Sequence, residues 1–384
     1  MCQMRIAIVT SGRFHVLDLA RELAALGHDV RFYSYVPRRR AERFGLPRKC
    51  HRSLLPYVLP LVMLQRFAPR WLRDPVDAMI LRIVDHVAAW MLEPCDVFIG
   101  MSGLCVKSAQ RARERFGAKV VLERGSRHIL SQKKILEAIP AIRLPAVSDF
   151  NVRRELWGYD FADVIAIPSC HAARSFLERG VQEAKLFRNP FGVDLAMFPP
   201  TPTPEEQCPT AIFVGAWSLR KGCDVLWKAC RLARPCRLLH VGPIGDALVP
   251  QSDLFIHLDS VPQWDLWKLY SRAHVFVHAS REEGLSLVQA QGLACGLPLV
   301  CTDRTGGEDL QQMLSDPGWV TVVAPDDPEA FHAGIERAFT KARTQRGIRD
   351  IFGSARGRLS WRAYGTRYEA ELQRRCGLAK AQSV

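Results

Sequence analysis

One carboxylate, one helix start and one pair of cations have the residue types and spacing to handle a sugar diphosphate. The stretch Ser280-Arg281-Glu282-Glu283-Gly284-Leu285-Ser286-Leu287 leaves a β-branched run and enters a helical pattern that ends at Cys295-Gly296-Leu297-Pro298. A helix start leaves several of its first amides unpaired, and the helix dipole favours an anion there. A diphosphate fits such a place. Gln291 lies eight residues after Glu283, about two helical turns, so the two share a face. Glu283 can accept hydrogen bonds from sugar hydroxyls, and the Gln291 amide can donate to and accept from a ribose diol. Taken alone, Gly284 also reads as an ordinary turn glycine and Glu283 as a solvated carboxylate at a helix start.

Two further loops carry candidates. After the run Ala211–Gly215 come Ala216-Trp217-Ser218-Leu219-Arg220-Lys221-Gly222. Arg220 and Lys221 beyond a strand end would neutralise charge building on a leaving diphosphate; the other reading is a solvated basic turn. After the run Lys119–Glu123 come Arg124-Gly125-Ser126-Arg127-His128. His128 would position the acceptor or the donor sugar, or serve the fold. Arg124 and Arg127 would hold an anionic acceptor such as a lipid diphosphate, or be surface charge.

The elements that must position these loops are legible as an alternation. Strands are expected at Arg5–Val9, Val30–Tyr35, Asp96–Gly100, Lys119–Glu123 and Val164–Pro168, and then at Ala211–Gly215, Arg237–Gly242, Leu254–Leu258, Val275–Ala279, Pro298–Thr302 and Val320–Val323. Helical stretches such as Leu17–Leu26 and Asp224–Leu232 lie between them. Alternating strands and helices imply parallel sheets covered on both faces. The fold class is therefore α/β: two Rossmann-like, doubly wound parallel-sheet domains facing across a cleft, with ligands beyond the carboxyl ends of the strands. The domains are placed at residues 1–188 and 189–357, followed by a helix near Trp361–Arg375 in a segment, 358–384, that packs back on the first domain. The Pro-rich stretch Pro199–Pro204 reads as a stiff extended linker, and residues 378–384 as a loose tail.

Charge is unevenly divided. Residues 1–188 hold 31 of the 53 Lys and Arg but 18 of the 39 Asp and Glu, so nearly all of the net +14 lies in the first half. That surplus suggests an anionic membrane surface or a nucleic acid; no zinc-finger or RNP-type motif supports the latter, and no nucleic-acid partner is expected. Residues Leu54 to Leu92 mix apolar side chains, Trp71 and Trp90 among them, with Arg66, Arg70, Arg73 and Arg82. They read either as helices lying in a membrane interface or as two ordinary core helices. The longest apolar run, Leu54–Leu64, is too short to span a bilayer. The N-terminus enters a strand by Arg5, so no signal peptide is read there. Twelve cysteines without a C-x-x-C pair read as buried thiols in a reducing compartment. The expected location is cytoplasmic, peripheral on the inner face of the membrane.

Over roughly residues 160–370 the chain resembles the retaining glycosyltransferases of family 4, which have the GT-B architecture. The matching segments keep the family's order: Asn189-Pro190-Phe191-Gly192-Val193-Asp194, Phe213-Val214-Gly215 through Lys221-Gly222, His240-Val241-Gly242, Val261-Pro262, Ala273–Val277, the Glu283-Gly284 to Pro298 block, and Ser360-Trp361. The first half matches mainly at Arg5–Val9 with Gly12 and at Leu26–Val30. The resemblance implies a hexosyltransferase that retains anomeric configuration and needs neither cofactor nor metal. Its donor is a UDP- or GDP-linked sugar, and its acceptor a glycan or lipid-linked molecule, as in cell-surface polysaccharide synthesis. It implies that Lys221, with Arg220, holds the diphosphate and that Glu283 contacts the donor sugar. Leu285, Ser286 and Leu287 hold phosphate through their amides, and Gln291 meets the ribose. Gly12 and Gly215 allow close approach, Val261 and Pro262 lie near the base, and a histidine, here His128, positions substrate. The chain departs from the family at Gln291, where a second glutamate is usual, at Ala216 in place of an arginine, and at Ser11-Gly12-Arg13 in place of a double glycine. Two rival readings follow: a non-catalytic homologue that still binds a nucleotide sugar or a partner, and another enzyme on the same fold, such as a sugar-nucleotide epimerase or an inverting transferase.

Overall fold

A computed structural model describes residues 3–67, 69–139, 147–204, 208–233 and 235–377; Cys2, the tail 378–384 and the side chains of Arg70 and Trp71 lie outside the described residues. The first sheet is built from β1 (Arg5–Val9), β2 (Asp29–Ser34), β3 (His51–Ser53), β4 (Val97–Met101), β5 (Lys119–Glu123), β6 (Val164–Ile167) and β7 (Leu186–Arg188). The second contains β8 (Thr210–Val214), β9 (Arg237–Val241), β10 (Phe255–Leu258), β11 (Val275–His278), β12 (Leu299–Thr302) and β13 (Val320–Val323). Their orders are β3-β2-β1-β4-β5-β6-β7 and β10-β9-β8-β11-β12-β13, with every pairing parallel. Strands such as β8 and β11 are buried on both faces, as a parallel sheet between helices requires. This is the doubly wound pair of domains that the alternation predicts.

The three-residue strands β3 and β7 escape sequence reading. Each is an outermost strand, and their residues, His-Arg-Ser and Leu-Phe-Arg, are too few to show a period. In both sheets the strand order reverses beside the first strand, between β1 and β4 and between β8 and β11. Such a switch point opens a crevice at the carboxyl ends. It puts the loops after β1 and β5 opposite the loops after β8 and β11.

The chain crosses between sheets twice, and the crossings grip each other. Val193 donates its amide to Leu359 at 2.7 Å, and Arg367 donates to Asn189 Oδ1 at 2.7 Å and to the Pro190 carbonyl at 2.8 Å. The helix Trp361–Arg375 then lies on the helix His15–Ala25, where Gly365 allows close contact with Glu22. There His28 Nε2 donates to Glu369 at 3.1 Å, and the Tyr368 hydroxyl donates to Glu123 at 2.5 Å.

The stretch after Pro199 is extended but is not a free linker. Thr201 is buried, donating to the Cys295 carbonyl through its amide at 3.2 Å and its hydroxyl at 2.8 Å, and Thr203 bonds Gly347. The fastening is Arg349, whose buried guanidinium donates to the carbonyls of Ala273 (2.7 Å), Tyr270 (3.1 Å) and Thr201 (3.4 Å) and to the Thr201 hydroxyl. Burial lowers its pKa to about 10. Eight of the eleven described cysteines are buried, and all eleven are free thiols.

Removing Arg349 would leave several buried carbonyls unsatisfied. Arg349→Ala is expected to destabilise the protein by about 3 kcal/mol, read as a lower midpoint of denaturant unfolding. An unchanged midpoint would show that water replaces the guanidinium freely.

Candidate functional site

The loops after β8 and β11 meet through charge. Gly215 leaves β8 at φ +148, a value that favours glycine, and the Lys221 side chain passes beside it. Lys221 then donates to Glu283 Oε1. Arg220 reaches the same oxygen at 3.3 Å and donates to the Glu282 carbonyl at 3.0 Å. Ser280 adds a hydroxyl donor to Glu283 at 3.3 Å. Burial alone would push the Glu283 carboxyl up; Lys221 and then Arg220 outweigh it and bring the pKa down to about 2.

The helix start behind Glu283 keeps unpaired amides. The helix Leu287–Ala294 begins at Ser286, which makes no side-chain cap. Among the described residues no hydrogen bond uses the amides of Leu285, Leu287 or Val288, and the Ser286 amide has only a 3.5 Å contact to Thr305. Gln291 is buried on the same helix and accepts from Tyr270 at 3.3 Å. Gly12 has open space beside it apart from the ring of Phe14. Its neighbour Arg13 donates to Gln263 at 2.9 Å, bringing the loop after β1 to the Val261-Pro262 loop after β10.

The first-domain loop after β5 closes over this ensemble. A Cβ on Gly284 would stand 2.0 Å from the Gly125 carbonyl oxygen, so the two backbones touch. Ser126 donates to Glu282, Gln132 donates to the other Glu282 oxygen at 3.2 Å, and Ser169 donates to the Gly284 carbonyl at 2.7 Å. The approach explains why two cavities near this face, of about 650 and 400 Å³, include neither Lys221 nor Ser286.

Three first-domain residues fall differently from expectation. His128 is buried, accepts the Leu130 amide at 3.3 Å as the cap of the helix Ile129–Glu137, and packs against Tyr159 and Phe176. Burial and then Arg179 lower its pKa to about 4. Its imidazole serves the fold because a histidine directly before a helix satisfies the helix's free amides. Arg124 and Arg127, expected to act together, line different cavities. Arg124 is held by Glu155 at 2.9 Å and Gln132 at 2.6 Å, and it donates to the Arg127 carbonyl, which turns the two guanidinium groups apart.

Sequence reading missed three contributors. Glu282 is buried and joins the two domains; its signal was the Glu282-Glu283 doublet. His278 ends β11 fully buried, with neither ring nitrogen partnered among the described residues and Nε2 4.0 Å from Glu283. Burial and then Lys221 hold it neutral, its pKa down at about 3. His15 donates to Glu123 at 2.7 Å beneath the loop after β1, a pairing across 108 residues that no local motif announces.

Two outcomes test this geometry. Because the folded pKa of Glu283 lies below its unfolded value, its charge contributes stability above about pH 5 that fades as pH falls towards 2. The stability gap between the wild type and Glu283→Gln should be on the order of 3 kcal/mol near neutrality and shrink with acid; a pH-independent gap would contradict the pairing. Gly284→Ala should part the domains, raising the radius of gyration in small-angle scattering with little change in unfolding midpoint.

Comparison with known proteins agrees with this architecture. Residues 208–341 match the family model described as "Glycosyl transferases group 1". One of the subunits of the phosphatidylinositol N-acetylglucosaminyltransferase of Arabidopsis thaliana is 26% identical over 253 residues, which make up 62% of this chain. That match takes in 52% of the plant protein, so the chain spans about half the length of this relative. Among solved structures, sucrose-phosphate synthase of Thermosynechococcus elongatus superposes with a TM-score of 0.69 at 19% identity, covering 98% of this chain and all of that one. HepE of Anabaena in complex with UDP-glucose gives 0.63 at 13% identity, covering 97% and 100%. The fold is thus GT-B, and residues 208–341 are similar to the group 1 glycosyltransferases.

Proposed function

We propose that the protein transfers a sugar, with retained anomeric configuration and without a metal, from a UDP- or GDP-linked donor to a glycan or lipid-linked acceptor in cell-surface polysaccharide synthesis. The observation that carries the reading is the convergence of Lys221 and Arg220 on Glu283 in front of unpaired helix-start amides. A donor diphosphate would draw the two cations from Glu283 and take the free amides of Leu285 and Leu287. Glu283, released, would accept hydrogen bonds from the sugar. As the glycosidic bond breaks, charge grows on the phosphate beside fixed donors, which lowers the barrier without reorganisation. The acceptor hydroxyl attacks from the face of the leaving phosphate, which takes its proton. The base lies by Val261 and Pro262. The acceptor enters the cavity of about 400 Å³ that begins at Ser11 and Phe14 in the first domain. HepE supports the donor class, having been solved with UDP-glucose.

Gln291 favours a second reading, a homologue that binds the donor without transfer, because its amide is already bonded to Tyr270. A thermal-shift series with UDP-glucose, UDP-N-acetylglucosamine and GDP-mannose, followed by product analysis, separates the two. Donor at about 100 times Kd should stabilise the fold by about 2.7 kcal/mol. Lys221→Ala should remove that shift, and Glu283→Ala should lower turnover at least 100-fold. Binding without product in any acceptor mixture would favour the second reading, and no shift with any nucleotide sugar would sink both.

The helix Leu55–Phe67 supports a peripheral place on an anionic membrane. It buries only Val58 and exposes Tyr57, Leu59, Met63, Leu64 and Phe67, the last to 76%. The following helix, Arg70–Met91, instead sinks Val76, Ile80, Val84 and Ala88 into the first-domain core. No helix of the described residues is long and apolar enough to cross a membrane. Vesicles with phosphatidylglycerol should co-sediment the protein, and Met63→Asp with Phe67→Asp should weaken binding at least tenfold; equal binding by the double variant would rule this surface out.

A further inference from the structure

The cavity of about 650 Å³ lies between the domains and gathers cations that the transfer chemistry does not use. Arg127, Lys134 and Arg179 enter it from the first domain, and Arg281 and Arg304 from the second. Its second-domain wall stands beyond β11, β12 and β13, whereas the Lys221 and Val261 loops follow β8 and β10 on the other half of the sheet. Its lining includes neither Lys221, Glu283 nor Ser286, although Arg281 belongs to the same loop after β11 as Glu283.

Its charge is not balanced from within. Arg281 is satisfied, by Asp224 at 2.8 and 2.9 Å and by Asp326 at 2.6 Å. Of the remaining four cations, Arg127 is 3.8 Å from Glu178, which is largely exposed, and Asp303 lies within electrostatic reach of Arg127 and Arg304. The Arg127 Nε is sealed from solvent without a hydrogen-bond partner among the described residues. No ion pair of Lys134, Arg179 or Arg304 is formed among the described residues, and Arg179 makes only a 3.4 Å contact to Ser131. Crowded arginines with an unpaired buried N–H suit a tetrahedral oxyanion, which accepts several charge-assisted bonds at once. Ile135 and Ile139 form an apolar wall beside them.

We propose that this cavity is a second binding site, independent of the donor, which takes the phosphate of a phosphate ester between Arg127, Lys134, Arg179 and Arg304 and packs its carbon skeleton against Ile135 and Ile139. The site is linked to the first by one peptide, since the Arg304 carbonyl accepts the Glu283 amide at 3.0 Å.

Titration calorimetry of the full chain at low salt tests the site. The probes are inorganic phosphate, glucose 6-phosphate and monomeric dihexanoyl phosphatidic acid. Phosphate should bind, and the tighter of the two esters identifies the source as a sugar or a lipid headgroup. Arg304→Ala and, separately, Lys134→Glu should weaken binding about tenfold or more, the loss of one charge-assisted contact. Lys134 is exposed on its helix, so its exchange leaves the fold intact. Lys221→Ala should leave binding unchanged. The proposal is overturned if no probe binds, if both cavity variants bind as the wild type does, or if Lys221→Ala abolishes binding, which would put the anion at the donor loops.

Discussion

A carboxylate out of bulk water, held ionised by two cations of a different loop, is the constraint on which the site depends. Burial opposes the charge on Glu283, and only the nearness of Lys221 and Arg220 keeps the carboxyl near pH 2 instead of above its usual range. An unpaired carboxylate at that depth would be strongly unfavourable, so Glu283 depends on both cations. The pairing in turn requires β8 and β11 to be neighbours, which the strand order provides at the point where it reverses. A reversal of this kind does in the second sheet what a packed core cannot: it leaves a crevice with charged loops on either side.

The triad carries one cation more than its carboxylate offsets, and Glu282, 3.7 Å from Arg220, lies beside the surplus. The cations rest on Glu283, so none of the three groups stands unpaired. An incoming diphosphate has to displace that carboxylate, and its multiple oxygens, with the nearby free amides to receive them, are what a single carboxylate lacks. His278 completes the arrangement as a neutral, buried ring behind Glu283. Closure between the domains is made by small groups: Gly125 on Gly284, Ser126 on Glu282, Ser169 on the Gly284 carbonyl. Any larger side chain at these places would hold the two sheets apart.

The basic surplus of the first half divides in a way that composition conceals. Part is absorbed in structure, as where Arg154 pairs at 2.8 Å with the buried Asp85, which also accepts the first amides of the helix Lys107–Phe116. Arg124 is likewise held by Glu155. What is left over includes Arg127, Lys134 and Arg179 at the cavity between the domains.

Local pattern was enough to specify the two sheets, because eleven of the thirteen strands carry enough β-branched residues between helical periods to be read one at a time. It also marked the loops after β8 and β11, since glycine turns and adjacent charges are local signals. It missed β3 and β7, which are too short to show a pattern. Which side chains meet was settled by packing and by nothing earlier. Packing joined His15 to Glu123, made Glu282 a bridge between domains, and turned Arg124 and Arg127 into separate cavities. It also strapped the Pro-rich stretch down through Arg349. The reason is physical: spacing along the chain fixes which face of an element a residue occupies, whereas an ion pair between loops depends on how sheets stack, and residues 62 or 108 positions apart carry no mark of their partner.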